Sequence, residues 1–258
     1  MKDEAGVVLA LGRRALSVQF RRAQLLMPTF VLPLMLLAVI ASGTRAAEDL
    51  SSFPDVGSFL AFVLPGTLTQ GALLAGLTSG IAFAGDIEFG FFDRLLAAPV
   101  RRTSLVLGRQ AGTVGLSLLQ STLFLLVAAV FGAHYPGGLL AALGAIGLAA
   151  LAAVALGGIA SAIAIRTGSL SLLQSVFPFM FVLLFTAPAF FPRDLLSPAL
   201  HAVAAYNPLT YVVEGIRALL LDDPSLGDPL AGLVAATGLA IFSMALAVFA
   251  LRERLRTL

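Results

Sequence analysis

Six apolar stretches, residues 25–43, 59–85, 104–131, 139–165, 170–191 and 229–251, take up more than half of this 258-residue sequence and are almost free of charge. Each is about as long as the 17 to 25 residues that an α-helix needs to cross roughly 30 Å of hydrocarbon. They are built from Ala, Leu, Val, Phe and Gly without strict alternation, which predicts helices rather than barrel strands. The first stretch begins too far into the chain, and without a small-residue cleavage motif, to be a signal peptide. Composition closes the alternatives. Hydrophobic residues make up 59% and charged residues 12%, about half the charged share of a soluble domain. So few polar groups cannot cover a water-soluble fold, which excludes a soluble enzyme, a disordered chain and a nucleic-acid binder. Cysteine is absent and histidine occurs twice, which removes disulfides, thiolate metal sites and cysteine nucleophiles.

Basic residues are unevenly divided between the joining segments. With the amino terminus inside, Lys2, Arg13, Arg14, Arg21, Arg22, Arg94, Arg101, Arg102, Arg109, Arg166, Arg252, Arg254 and Arg256 fall on the inner side. Only Arg45, Arg193 and Arg217 fall outside, a division of 13 to 3 among the 16. The bias of Lys and Arg toward the cytoplasm then predicts that both termini are inside.

Three of the other segments carry information. Residues 6–22 have helical periodicity, with Arg13, Arg14, Ser17 and Arg21 on one side and Val8, Leu11, Ala15 and Leu16 opposite. This predicts an amphipathic helix on the inner leaflet, against the plainer reading of a basic juxtamembrane tail. Residues 86–102 mix charges with Phe89, Phe91, Phe92, Leu95 and Leu96 before Pro99. Here Asp86 is expected to cap a short helix with Glu88 in its first turn. Its apolar residues suit either a partner's groove or the bilayer interface. Residues 192–228 alternate prolines with apolar runs at 195–205 and 209–221, which predicts short broken helices that dip into the outer leaflet and return. Glu214 and Arg217 stand i,i+3 and are expected to pair, either as a buried functional feature or as a local ion pair.

No Walker A, HExxH or GxSxG pattern occurs, and no nucleophile and base share a helical face, so no catalytic site is expected. The glycine series Gly66, Gly71, Gly76 and Gly80, with Gly144, Gly147, Gly157 and Gly158, reads as close helix packing. Nearly uncharged spans argue against ion-coupled carriage and fit a transporter driven by another protein.

The segment from Glu88 through Gly90, Leu95, Leu96 and Pro99 to Arg101 and Arg102 resembles the cytoplasmic motif of type 2 ATP-binding-cassette exporter permeases. The run Asn207, Pro208, Leu209, Thr210, Tyr211 to Glu214 and Arg217 is similar to the outer motif of the same family. Within that family, the daunorubicin-resistance-like permeases of bacteria are the nearest likeness, over nearly the whole of residues 1–258. Phe91 departs from the pattern, which commonly has a small hydroxyl residue there. The resemblance implies one all-α transmembrane domain in a bacterial cell membrane. It implies a homodimer, or a pair with a related permease, above two copies of a cytosolic ATPase. That partner would bind ATP and Mg, with no cofactor on this chain. Residues 88–102 would be the coupling helix, with Phe92, Leu95 and Leu96 making apolar contact with the ATPase and Glu88 and Arg94 fixing its register. Residues 6–22 would flank the gate, and the outer helices would cap the pathway. Cargo in the family covers lipophilic drugs, antibiotics, lipids, polysaccharides and sodium. Phe177, Phe181, Phe185 and Phe190 offer apolar contacts to a lipophilic cargo, or else face lipid. The competing functional reading is a membrane subunit that anchors or regulates an ATPase without transporting.

Overall fold

The structure, a computed structural model, describes residues 4–21, 23–43, 59–97 and 101–256. Pro99, Arg45 and residues 44–58 lie outside the described residues. Among the described residues ten α-helices follow in order: α1 (Glu4–Arg21), α2 (Ala23–Gly43), α3 (Phe59–Glu88), α4 (Phe91–Leu96), α5 (Arg102–Val130), α6 (Gly138–Thr167), α7 (Leu170–Phe185), α8 (Pro198–Tyr206), α9 (Pro208–Leu221) and α10 (Pro229–Arg254). The 3₁₀ turns Arg193–Leu195 and Pro224–Leu226 flank α8 and α9. No strand occurs among the described residues.

Helix starts follow side-chain chemistry. Ser169, Asn207 and Asp228 each accept a backbone N–H from the first turn of α7, α9 and α10. Pro208 and Pro229 then occupy first-turn positions that lack an N–H partner anyway. Among the described residues four segments are long and apolar enough to cross a membrane alone: α3, α5, α6 and Pro224–Arg254, which contains α10. The axes of α1 and α2 lie at 74° to each other, and together the two make up one further candidate span. The stretch at 170–191 is helical only to Phe185, giving α7 16 residues, about 24 Å of rise. Its remainder, from Thr186 to Phe191, is turn and bend; it contains Pro188 and is followed by Pro192, and proline disfavours continuing a helix.

Buried α3 sits centrally, packed by α2, α5, α6, α7 and α9, while α6 also carries α10. Small residues permit this. A Cβ on Gly76 would lie 2.6 Å from the Gly157 nitrogen, and one on Gly80 would lie 2.4 Å from the Ala160 Cβ. The helices therefore touch backbone to backbone, as the glycine series predicts. Gly147 has open space instead. Proline in α2 is answered from α5. Pro33 has no N–H for the Thr29 carbonyl, and the buried Gln120 amide donates to that carbonyl at 3.2 Å and to Thr29 Oγ1 at 2.9 Å. The larger apolar core joins α2, α3, α5, α6, α7 and α9. A smaller one gathers the ends of α3, α6 and α10 with α4 and the start of α5.

Candidate functional site

The smaller core supports a charged corner where α1, α3, α4 and α5 meet. Gly90 starts α4 at φ 72°, in the left-handed region, where a glycine carries no Cβ penalty. That turn reverses the chain after Glu88 and brings α4 back under α3. Asp86 belongs to the last turn of α3 and does not cap a short helix; α3 continues past it to Glu88. Its carboxylate instead accepts from the Arg109 guanidinium of α5 and lies 3.5 Å from Arg14 of α1. Arg14 also stands over the Phe91 ring, 3.7 Å from its centroid, and Arg109 stands 4.9 Å over Phe83. Phe91, the departure from the family pattern, thus gives Arg14 an aromatic seat. Arg101 closes the other end of α1 through Glu4, at 2.5 Å.

The predicted coupling residues divide between two faces. Phe92 is 1% exposed and meets Phe83 edge-on, with centroids 5.3 Å apart. Leu95 and Leu96 are half-buried against the same core, and Leu95 lines a small cleft with Leu11, Arg14, Asp86 and Arg109. Phe92 is expected to contact a partner, and in this chain its side chain is packed inside. Asp93 and Arg94 are exposed, and Phe89 is the most exposed aromatic of the segment at 74%. Glu88 accepts the Leu170 N–H at 2.9 Å, a carboxylate at the positive end of α7. It braces α7 rather than facing outward alone.

Helix α1 is docked on α5 rather than lying free. A Cβ on Gly108 would come 2.5 Å from the Leu11 Cβ, and one on Gly112 would come 2.7 Å from that of Ala15. The seam is readable as small residues at i,i+4 in α5, and neither it nor the Arg109–Asp86 contact was among the expected features.

At the far end of the bundle a second constellation forms on the 207–217 motif. Asn207 caps α9 through Leu209 N at 2.9 Å, and its amide donates to the Leu183 carbonyl at 2.6 Å and Thr186 Oγ1 at 3.0 Å. The Tyr211 hydroxyl donates to the Ala205 carbonyl at 2.9 Å. Pro208 opens α9. Arg217 is buried and donates to the carbonyls of Phe62 at 3.3 Å, Pro188 at 2.8 Å and Ala189 at 3.2 Å, with its guanidinium 4.1 Å over the Phe62 ring. Glu214 lies 3.9 Å from Arg193 and its charge also acts on Arg217, so the i,i+3 neighbours interact electrostatically while the Arg217 donors go to main-chain carbonyls. Nearby, burial pushes the Tyr135 phenol up to about 12, which keeps it a donor to the Leu125 carbonyl at 2.9 Å.

Between the two ends, Phe177, Phe181, Phe185 and Phe190 form one continuous aromatic ladder, with successive centroids 5.0, 6.2 and 5.8 Å apart. Phe190 is buried and Phe185 exposed. The model of the ABC-2 type transporter family matches residues 7–221, from α1 through α9. The chain belongs to the ABC-2 type transporter family. Among its relatives, the "Putative transport permease ycf38" of Porphyra purpurea is 30% identical over 210 residues, covering 81% of this chain and 72% of that one. The protein of the same name from Pyropia yezoensis is 29% identical over 221 residues, covering 82% and 73%. In ABC-2 terms, the charged corner at α4 and the 207–217 motif are the two ends of one membrane permease domain.

Proposed function

We propose that the chain is the membrane-spanning permease subunit of an ATP-binding-cassette exporter that moves a lipophilic drug, antibiotic or lipid-like cargo outward. It crosses a bacterial cell membrane six times, with both termini in the cytoplasm, and works in pairs above a separate cytosolic ATPase. The observation that carries this reading is the two-sidedness of the α4 segment. Phe92 is anchored in the chain, while Phe89, Asp93 and Arg94 remain open to a partner.

From this corner three rigid contacts lead into the bundle. Phe91 and Arg14 lead to α1, Asp86 and Arg109 to α5, and Glu88 to the start of α7 with its aromatic ladder. A push on α4 by an ATPase that binds ATP better in one conformation would reach all three helices, because a ligand shifts an equilibrium only by its differential affinity. The ladder then presents large apolar faces to cargo, and Asn207 and Arg217 hold the far closure.

Docking is tested by co-purification of the ATPase with Phe89→Ala and Arg94→Ala. A phenylalanine buried on docking contributes about 2 kcal/mol, so its loss weakens association by at least about tenfold, with membrane abundance unchanged. Undiminished capture by the double variant would remove α4 as the docking element. Vesicles holding both proteins should move a lipophilic dye only with ATP. Docking without dye movement would leave a non-transporting subunit.

A further inference from the structure

Helices α5 and α10 both lean on α6 and barely touch each other. Between them, at the α4 end, runs an open-sided groove of about 680 Å³ whose lining includes Leu107, Phe242, Ala245, Leu246, Phe249 and Arg252. We infer that this groove binds an anionic glycerophospholipid, its acyl chain on the apolar walls and its phosphate on Arg252.

Depth is the first argument. From Phe242 to Arg252 the helix rises about 15 Å, half of a hydrocarbon core of roughly 30 Å. The groove therefore spans one leaflet, with its cationic end at the head groups. Charge is the second. Arg14, Arg101, Arg109, Arg166 and Arg193 each face a carboxylate. Arg252 makes no ion pair among the described residues, and its neighbour Glu253 is taken by Arg166. Arg102, beside the lining residue Thr103, likewise has none among them. A zwitterionic lipid brings its own ammonium to that mouth, whereas an anionic one brings a net negative charge to it. A basic residue near the membrane surface is worth about 1 kcal/mol toward an anionic lipid, which is about a fivefold preference.

The site rests on the membrane-spanning reading but not on transport or on which face is cytoplasmic. The test uses the natural lack of cysteine. A single Ala245→Cys carries an environment-sensitive fluorophore, and the full chain is reconstituted in vesicles with identical leaflets. Brominated phosphatidylglycerol should quench it with a relative binding constant about five times that of brominated phosphatidylcholine. Arg252→Gln should bring the ratio close to one, and Arg252→Lys should keep most of it. A fluorophore on Leu172→Cys, exposed at the same end on α7, should show little preference. Equal quenching by the two lipids at Ala245→Cys, or an unchanged ratio in Arg252→Gln, overturns the assignment. Either result leaves the exporter reading untouched.

Discussion

Arg217 is the residue on which the far end of the bundle turns. A buried guanidinium is costly unless its donors are used, and here they meet three main-chain carbonyls belonging to α3 and to the 186–191 turn. Those carbonyls need it. The Pro188 and Ala189 carbonyls lie in a turn, beyond the end of α7, where regular helix bonding has stopped. Replacing Arg217 with alanine leaves at least two buried acceptors unmet, at about 1 to 3 kcal/mol each. Arg217→Ala should lower the melting temperature of the detergent-solubilised protein by several degrees. Arg217→Lys should recover only part of this, because an ammonium is not a planar fork. An alanine variant that melts with the unaltered protein would show that the clamp is ornamental. The spacing points Arg217 toward Glu214, whose charge does act on it, but not toward the carbonyls that take its donors. Its i,i+3 spacing to Glu214 is a local signal, whereas the carbonyls it binds come from residues 28, 29 and 155 positions away, which no local pattern reveals.

At the scale of helices, what was legible is what apolar length alone encodes. The stretches at 59–85, 104–131, 139–165 and 229–251 correspond to α3, α5, α6 and α10, because a run of that length must satisfy its own backbone in lipid. Helix α7 was overextended to 191, since Ala187, Ala189 and Phe190 are equally apolar in a turn held by Arg217 and Asn207. The facing of α4 was also hidden. Phe89 and Phe92 have the same chemistry, and only the Gly90 turn decides that Phe92 goes in and Phe89 out. The α1–α5 seam is encoded in the i,i+4 spacing of Gly108 and Gly112. Its contribution is testable. A valine at Gly112 would place its Cβ 2.7 Å from that of Ala15, too close without α1 moving. Gly112→Val should leave the spans inserted and membrane abundance near normal, while limited proteolysis cuts α1 several-fold faster. Unchanged cleavage would mean that α1 is held by the bilayer rather than by α5.

For the molecule as a whole, the question is how a corner at one end governs a path through the middle, and Arg14 is the residue that separates coupling from folding. Asp86 and Arg109 are unsuitable probes. Arg109 is 7% exposed, and stripping its carboxylate leaves a buried charge, a change worth about 3 to 5 kcal/mol that would damage the bundle itself. Arg14 is different. Its side chain is 37% exposed and its distance to Asp86 is 3.5 Å, so that pair contributes only about 0.2 to 1 kcal/mol to stability. Its seat on Phe91 adds a comparable amount. Yet Arg14 joins the sequence-distant α1 to both Asp86 of α3 and Phe91 of α4. Arg14→Ala should therefore be inserted, abundant and able to hold the ATPase. ATP hydrolysis by the complex should continue while ATP-dependent dye movement falls at least several-fold. Phe91→Leu keeps the apolar bulk but removes the aromatic face, and should show a milder loss in the same direction. If both variants transport at the full rate, force does not pass through α1, and the Glu88 link to α7 must carry it. If hydrolysis and transport fall together in Arg14→Ala, the residue acts on docking, and the division of α4 into an anchored face and a partner face would have to be redrawn.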